Sequence, residues 1–110
     1  MTREPEPETI VILRRFPVRT RQGGGGDLIA LFPLIPETAP GTCSSYQRVG
    51  QHGAASLDLI RDTIPAKLED PDAIALRREL ESPPYGYNLR PIHRLPHWRR
   101  IQESRKALLR

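Results

Sequence analysis

The chain has 110 residues, and 37% of them are hydrophobic, which is below the range usual for globular domains. This length limits the chain to one domain with a core of modest size. Its formal net charge is +4, and residues 90–110 hold seven basic side chains against one acidic side chain. The rest of the chain is nearly neutral, so the positive field belongs to the C-terminal segment. Such a segment attracts phosphates or an acidic protein face.

Residues 1–8 have almost nothing to bury and predict a disordered leader. They lack the apolar core of a signal peptide, and no apolar run approaches the length of a membrane span. The single cysteine, Cys43, excludes an internal disulfide and fits a reducing compartment. We therefore expect a cytoplasmic protein that does not bind membranes.

Two segments near the N-terminus predict strands that pair with each other. Residues 9–16 begin with β-branched and apolar side chains, and residues 27–32 are apolar up to Pro33, where we expect the second strand to stop. Sequential strands usually pair, so we predict an antiparallel hairpin. The four glycines at 23–26 lead into a strand and have no Lys-Ser/Thr pair, so we interpret them as an expanded loop and not as a phosphate-binding loop.

The middle of the chain predicts further strands. Residues 43–50 alternate in a way that suits a third strand, and residues 51–56 suggest a turn. Residues 57–64 alternate poorly. We favour a fourth strand there, ending at Pro65, with a short helix as the alternative.

Residues 70–82 carry the strongest helix signal. Asp70 suits the N-cap, and Pro71 suits the first helical position. Apolar residues then recur with helical spacing, at Ala73, Leu76 and Leu80. The tandem prolines 83–84 end the pattern.

Residues 87–95 predict a last strand, and Pro91 places it at an edge or a bulge because proline lacks a backbone donor. The segment after it, 96–110, suits either a basic tail or an amphipathic helix. The predicted fold class is α+β: a small antiparallel sheet of four or five strands with one helix packed on one face. Residues 9–95 form its single domain.

Catalytic chemistry has weak support. Cys43 and His52 are the main nucleophile–base candidates, and nothing in the sequence places Asp27 or Asp58 to orient the histidine. Ser44, Ser45 or Ser56 in place of the cysteine fares no better. No Gly-x-Ser-x-Gly elbow is present. A metal site would draw on Cys43 and His52 with His93 and His97, but one cysteine and no paired spacing argue against it. We expect no catalytic constellation, no metal and no cofactor.

Nucleic-acid binding has better support, because basic residues are interleaved with aromatic ones near the C-terminus. Arginines contact phosphates, and a tryptophan stacks on an unpaired base. The alternative is a helix that buries its tryptophan in the protein's own core. The candidate residues for nucleic-acid or partner binding are Arg90, Arg94, Trp98, Arg99, Arg100, Arg105 and Lys106.

The run Gly-Asp-Leu-Ile-Ala-Leu-Phe-Pro at 26–33, followed by Ser-Tyr-Gln-Arg-Val-Gly-Gln-His-Gly-Ala-Ala-Ser at 45–56, resembles a family of small uncharacterised bacterial proteins. Members show a GDxIALFP strand, then SYxxVGQHGAAS, a short helix and a GY-x-L-R strand, which here looks like residues 86–90. Such proteins look common in phages, plasmids and other mobile elements. The resemblance implies one fold for residues 10–94 and no activity.

Three functional hypotheses follow. We favour a non-enzymatic binding module of mobile-element origin that acts on a host protein or a nucleic acid. The second is a small enzyme that depends on Cys43 and His52. The third is an obligate homo-oligomer, with the edge strand of Pro91 or the face of Trp98 as its interface.

Overall fold

The computed structural model describes residues 8–17, 26–37, 39, 41–47 and 51–108. The leader predicted for residues 1–8 lies outside them apart from Glu8, as does the glycine loop apart from Gly26. In chain order the elements are β1 (Thr9–Arg15), β2 (Leu28–Pro36), β3 (Thr42–Gln47), β4 (Gln51–Ser56), α1 (Leu59–Asp62), β5 (Ile64–Pro65), α2 (Pro71–Glu81), β6 (Leu89–Pro91) and α3 (Trp98–Leu108).

The strands form one sheet in the order β4-β3-β2-β1-β5, and β6 also pairs with β1. All pairings are antiparallel except that between β1 and β6, which is parallel and sets Thr9 opposite Leu89. The short strands β5 and β6 cover different parts of the same edge of β1. The predicted α+β class and the β1–β2 hairpin pairing are therefore confirmed, with six strands and three helices among the described residues.

The second strand continues past the point where we expected it to stop. It runs through Pro33 to Pro36, and its pairing with β3 shifts register between Phe32 and Pro36. An irregular pairing of this kind tolerates proline, because some backbone donors there have no ladder partner. The predicted stop at Pro33 is wrong for this reason.

Residues 51–64 also differ from the prediction. The predicted turn at 51–56 is strand β4, which pairs with β3 over its whole length. The favoured fourth strand at 57–64 is wrong, and the alternative is confirmed: the segment contains helix α1, and only Ile64 from it enters a strand. A short, weakly patterned segment leaves this choice to tertiary packing.

Side chains from the two faces of the sheet form two apolar clusters. The helix α2 covers one face, and α1 lies against the other. The cluster beneath α2 contains Val11, Leu13, Leu28, Ala30, Phe32, Tyr46, Ala66, Ala73, Leu76, Leu80 and Leu89. The cluster on the α1 face contains Ile12, Ile29, Leu31, Cys43 and Ala55.

An arginine on β1 fixes the start of α2. Arg15 donates from Nη1 to Asp72 Oδ2 at 2.7 Å and from Nη2 to Asp70 Oδ2 at 3.3 Å. The hydrogen bond from Arg15 lowers the pKa of Asp72, and the same bond raises the pKa of Arg15. The predicted helix is confirmed, but the carboxylate of Asp70 does not cap it, because it turns to this arginine instead.

A second arginine, on the opposite face of β1, holds α1 against the sheet. Arg14 is buried and donates from Nε to Thr63 Oγ1 at 2.9 Å and from Nη2 to the carbonyl of Ile60 at 2.7 Å. The same Nη2 also bonds to the carbonyl of Thr63. Burial lowers the pKa of Arg14. Arg14 thus holds the short helix by its last backbone carbonyls, which hydrogen bonds within the helix leave free.

The C-terminal segment forms a helix rather than a free tail. Helix α3 packs against β2, and Arg105 donates from Nη2 to the carbonyl of Glu37 at 3.0 Å. In the described part of the chain, no helix is long and apolar enough to cross a membrane.

Candidate functional site

Cys43 and His52 do not come together. Strand β3 alternates, so Cys43 lies on the α1 face and Tyr46 on the α2 face. His52 is opposite Tyr46 in the β3–β4 register and shares its face. The sheet therefore separates the thiol from the imidazole.

The thiol is also in a poor environment for a nucleophile. Cys43 is fully buried, and burial raises its pKa to about 11. A reactive cysteine needs the opposite shift, because only the thiolate attacks.

Alkylation of Cys43 tests this directly. We expect the rate in the folded protein to rise with pH towards a midpoint near 11, since the thiol stays protonated until then. In denaturant the midpoint should fall to roughly 8.5, the value of a free thiol. Mass spectrometry after timed alkylation measures both curves. A folded-state midpoint at or below that of the free thiol would contradict the assignment.

His52 belongs to an aromatic cluster that joins β4 to α2. Its ring meets the ring of Tyr46 edge-on at 4.7 Å and that of Tyr85 at 5.1 Å between centroids. The hydroxyl of the buried Tyr46 donates to Glu79 on α2. His93 and His97 both precede α3, and the described residues contain no group of three or more side chains suited to a metal ion.

The first turn of α3 carries an exposed tryptophan. Trp98 is 57% exposed. The ring of His97 lies 5.7 Å from its ring, and the guanidinium of Arg99 lies over it at 5.6 Å from the centroid. An exposed indole beside an imidazole ring and a guanidinium is a stacking surface for planar, electron-rich ligands.

The backbone at this turn is fixed by His97. Its carbonyl accepts from the N–H groups of Arg100 at 2.9 Å and Ile101 at 3.2 Å. Its ring Nδ1 accepts from the N–H of Arg99 at 3.2 Å. These bonds hold the backbone at the start of the helix, which carries Trp98.

A groove of about 320 Å³ adjoins Trp98. It lies between α3, the end of β2 and the loops at Gly41 and Leu57. This volume is at the lower end of the range for small-ligand pockets. The residues that line it are Pro33, Leu34, Pro36, Gly41, Thr42, Leu57, Trp98, Ile101, Gln102 and Arg105.

Most of the residues proposed from the sequence are exposed. Arg99, Arg100 and Lys106 project from α3, while Arg90 lies in β6 and Arg94 follows it. Arg105 differs, because it is partly buried and its guanidinium holds α3 to the domain. The alternative interpretation required Trp98 to be buried in the core of the protein. Trp98 is exposed instead, so that interpretation is wrong. Sequence reasoning missed the groove, whose other wall comes from residues more than 40 positions earlier in the chain.

Comparison with family models, curated proteins and solved structures gives no match to this chain. The family resemblance of residues 10–94 therefore stays a prediction, and the function has to be inferred from the geometry.

Proposed function

We propose that the protein is a binding module for single-stranded nucleic acid, with the first turn of α3 and the adjoining groove as its contact surface. The observation that carries the proposal is the exposure of Trp98 beside Arg99 on an anchored helix. Stacking of a base on an aromatic side chain contributes roughly 1–3 kcal/mol and tolerates any base.

The surface at Trp98 suits an unpaired base better than it suits a duplex. A stacked base within a duplex has no free face, so Trp98 can stack only on a base that is already unpaired. The prolines and Leu34 across the groove offer an apolar wall to the base or sugar. Trp98 would lie at the centre of this contact and lose its surrounding water on binding. This loss of water strengthens the interaction with the base.

Exposed cations next to the groove supply contacts to the phosphates. Arg99 and Arg100 lie in the first turn of α3, where the helix dipole adds to their positive field. Lys106 lies two turns further along, and Arg94 lies in the segment that leads into the helix. Contacts of this kind position the strand without reading its sequence.

Fluorescence of Trp98 tests the proposal, because it is the only tryptophan in the chain. We expect a short oligothymidine to quench the emission, and a blunt duplex of equal charge to quench it much less. For about four phosphate contacts, a slope of about −0.7 per contact predicts that the affinity falls roughly 50-fold between about 50 and about 200 mM salt.

A matched pair of charge reversals tests the location. Arg100→Glu should weaken binding of the oligonucleotide at low salt, whereas Lys67→Glu changes the net charge equally at an exposed site outside the surface. Glutamate near a helix N-terminus is favourable, so Arg100→Glu should leave α3 intact. Equal losses from both variants, or no quenching by the oligonucleotide, would refute the proposal. Stronger binding of polyglutamate than of the oligonucleotide would instead indicate an acidic protein partner.

A further inference from the structure

The two edges of the sheet differ in how they are protected. On the side of β1, the edge is made by β5 and β6, which are two and three residues long and each end in a proline, Pro65 or Pro91. Short strands and prolines prevent pairing with another chain. The opposite edge is β4, which has six residues, no proline and no Asp, Glu, Lys or Arg.

Strand β4 also lacks the irregularity that twists many edges away from a partner. It pairs with β3 in unbroken register from Gln51 opposite Gln47 to Ser56 opposite Thr42. In the described sheet, no strand pairs with its other side. In the described sheet, alternate backbone N–H and C=O groups of β4 therefore point outward, and their geometric complement is another extended strand.

We propose that this strand is the interface of a homodimer, in which β4 pairs antiparallel with β4 of a second copy across a two-fold axis at Ala54. The two sheets then join into one continuous sheet. Antiparallel self-pairing satisfies both edges at once and closes the assembly at two copies.

Charge favours a second copy as the occupant. The chain carries a net charge of +4, so two copies repel each other overall. Strands β3 and β4 contain no Asp, Glu, Lys or Arg. Two copies can approach there without Coulomb repulsion between side chains.

The α1 face beside β4 is open in the single chain. A groove of about 630 Å³ lies over Ser45, Gly53 and Ala55, between Phe16 and Leu59, and it reaches the outer edge of β4. Pairing of β4 with its copy brings two such grooves side by side at the seam, on the same face of the joined sheet.

The molar mass of the native chain tests the inference without any nucleic acid. Sedimentation equilibrium should give twice the chain mass of 12.5 kDa. Ala54→Lys should shift this to the single-chain mass while the circular dichroism spectrum is kept, because a lysine at the seam meets its own copy. Ala75→Lys, an equal change at an exposed position on α2, should remain a dimer.

Disulfide trapping keeps the test decisive if the lysine variant does not fold. Ala54→Cys should cross-link two copies under mild oxidation, because directly opposed strand residues lie within disulfide range. Ala75→Cys should not cross-link. The native Cys43 is buried and should not form a disulfide between copies. A single-chain mass for the native protein at all concentrations, or equal cross-linking of the two cysteine variants, would overturn the inference.

Discussion

Replacing Trp98 with alanine should weaken binding of a single-stranded oligonucleotide by roughly 5- to 150-fold, which corresponds to the loss of one stacked base. The reason is that the indole is exposed and already held at the mouth of the groove, so the ligand gains its stacking without a rearrangement of the helix. Because this variant has no tryptophan fluorescence, anisotropy of a dye-labelled oligonucleotide measures the affinity.

The matched control is Ile74→Ala, which removes another exposed apolar side chain, 39% exposed, from α2. It should bind like the unmodified protein. Trp98→Phe should recover part of the lost affinity, since a smaller ring still stacks. If Trp98→Ala binds as tightly as Ile74→Ala, base stacking is not the basis of binding.

Replacing Leu80 with alanine should lower the free energy of unfolding by about 2–5 kcal/mol. Leu80 is fully buried near the end of α2, where it contributes to the cluster that joins this helix to the sheet. Truncation removes its transfer free energy and leaves a cavity that the rigid sheet cannot close. Urea denaturation followed by circular dichroism measures the change.

The same Ile74→Ala variant serves as the control on the same helix. Its side chain is partly in water, so its removal should change the free energy of unfolding by no more than about 0.5 kcal/mol. A loss of similar size from both variants would mean that α2 does not pack on the sheet through Leu80 as described.

Local signals were enough to predict α2, β1 and the beginning of β2. The proline at the first helical position and the apolar stripe ending at Leu80 specify a helix before any contact forms. Strand β4 gave no such signal. Gly53, Ala54 and Ala55 have weak strand propensity, and their extended conformation comes from pairing with β3.

For the candidate site too, the sequence predicted the part that depends on local composition and missed the part that depends on tertiary contacts. The cluster of Trp98 and its arginines is contiguous in sequence, so composition alone indicated it. The groove depends on α3 packing against Pro33 and Leu57, and no local pattern encodes that contact. Cys43 and His52 are close in sequence, but the sheet separates them, because closeness in sequence does not determine on which face of a strand each side chain lies.

Pro33, in the irregular part of the β2–β3 pairing, and Pro36, where the pairing resumes, also form part of the wall opposite Trp98. Proline fixes its own φ, so this stretch of backbone loses little conformational freedom when a ligand arrives. The groove wall is thus preorganised, and a base that enters it meets a surface already shaped. Affinity at this site should therefore depend more on the ligand's own loss of flexibility than on any ordering of the protein.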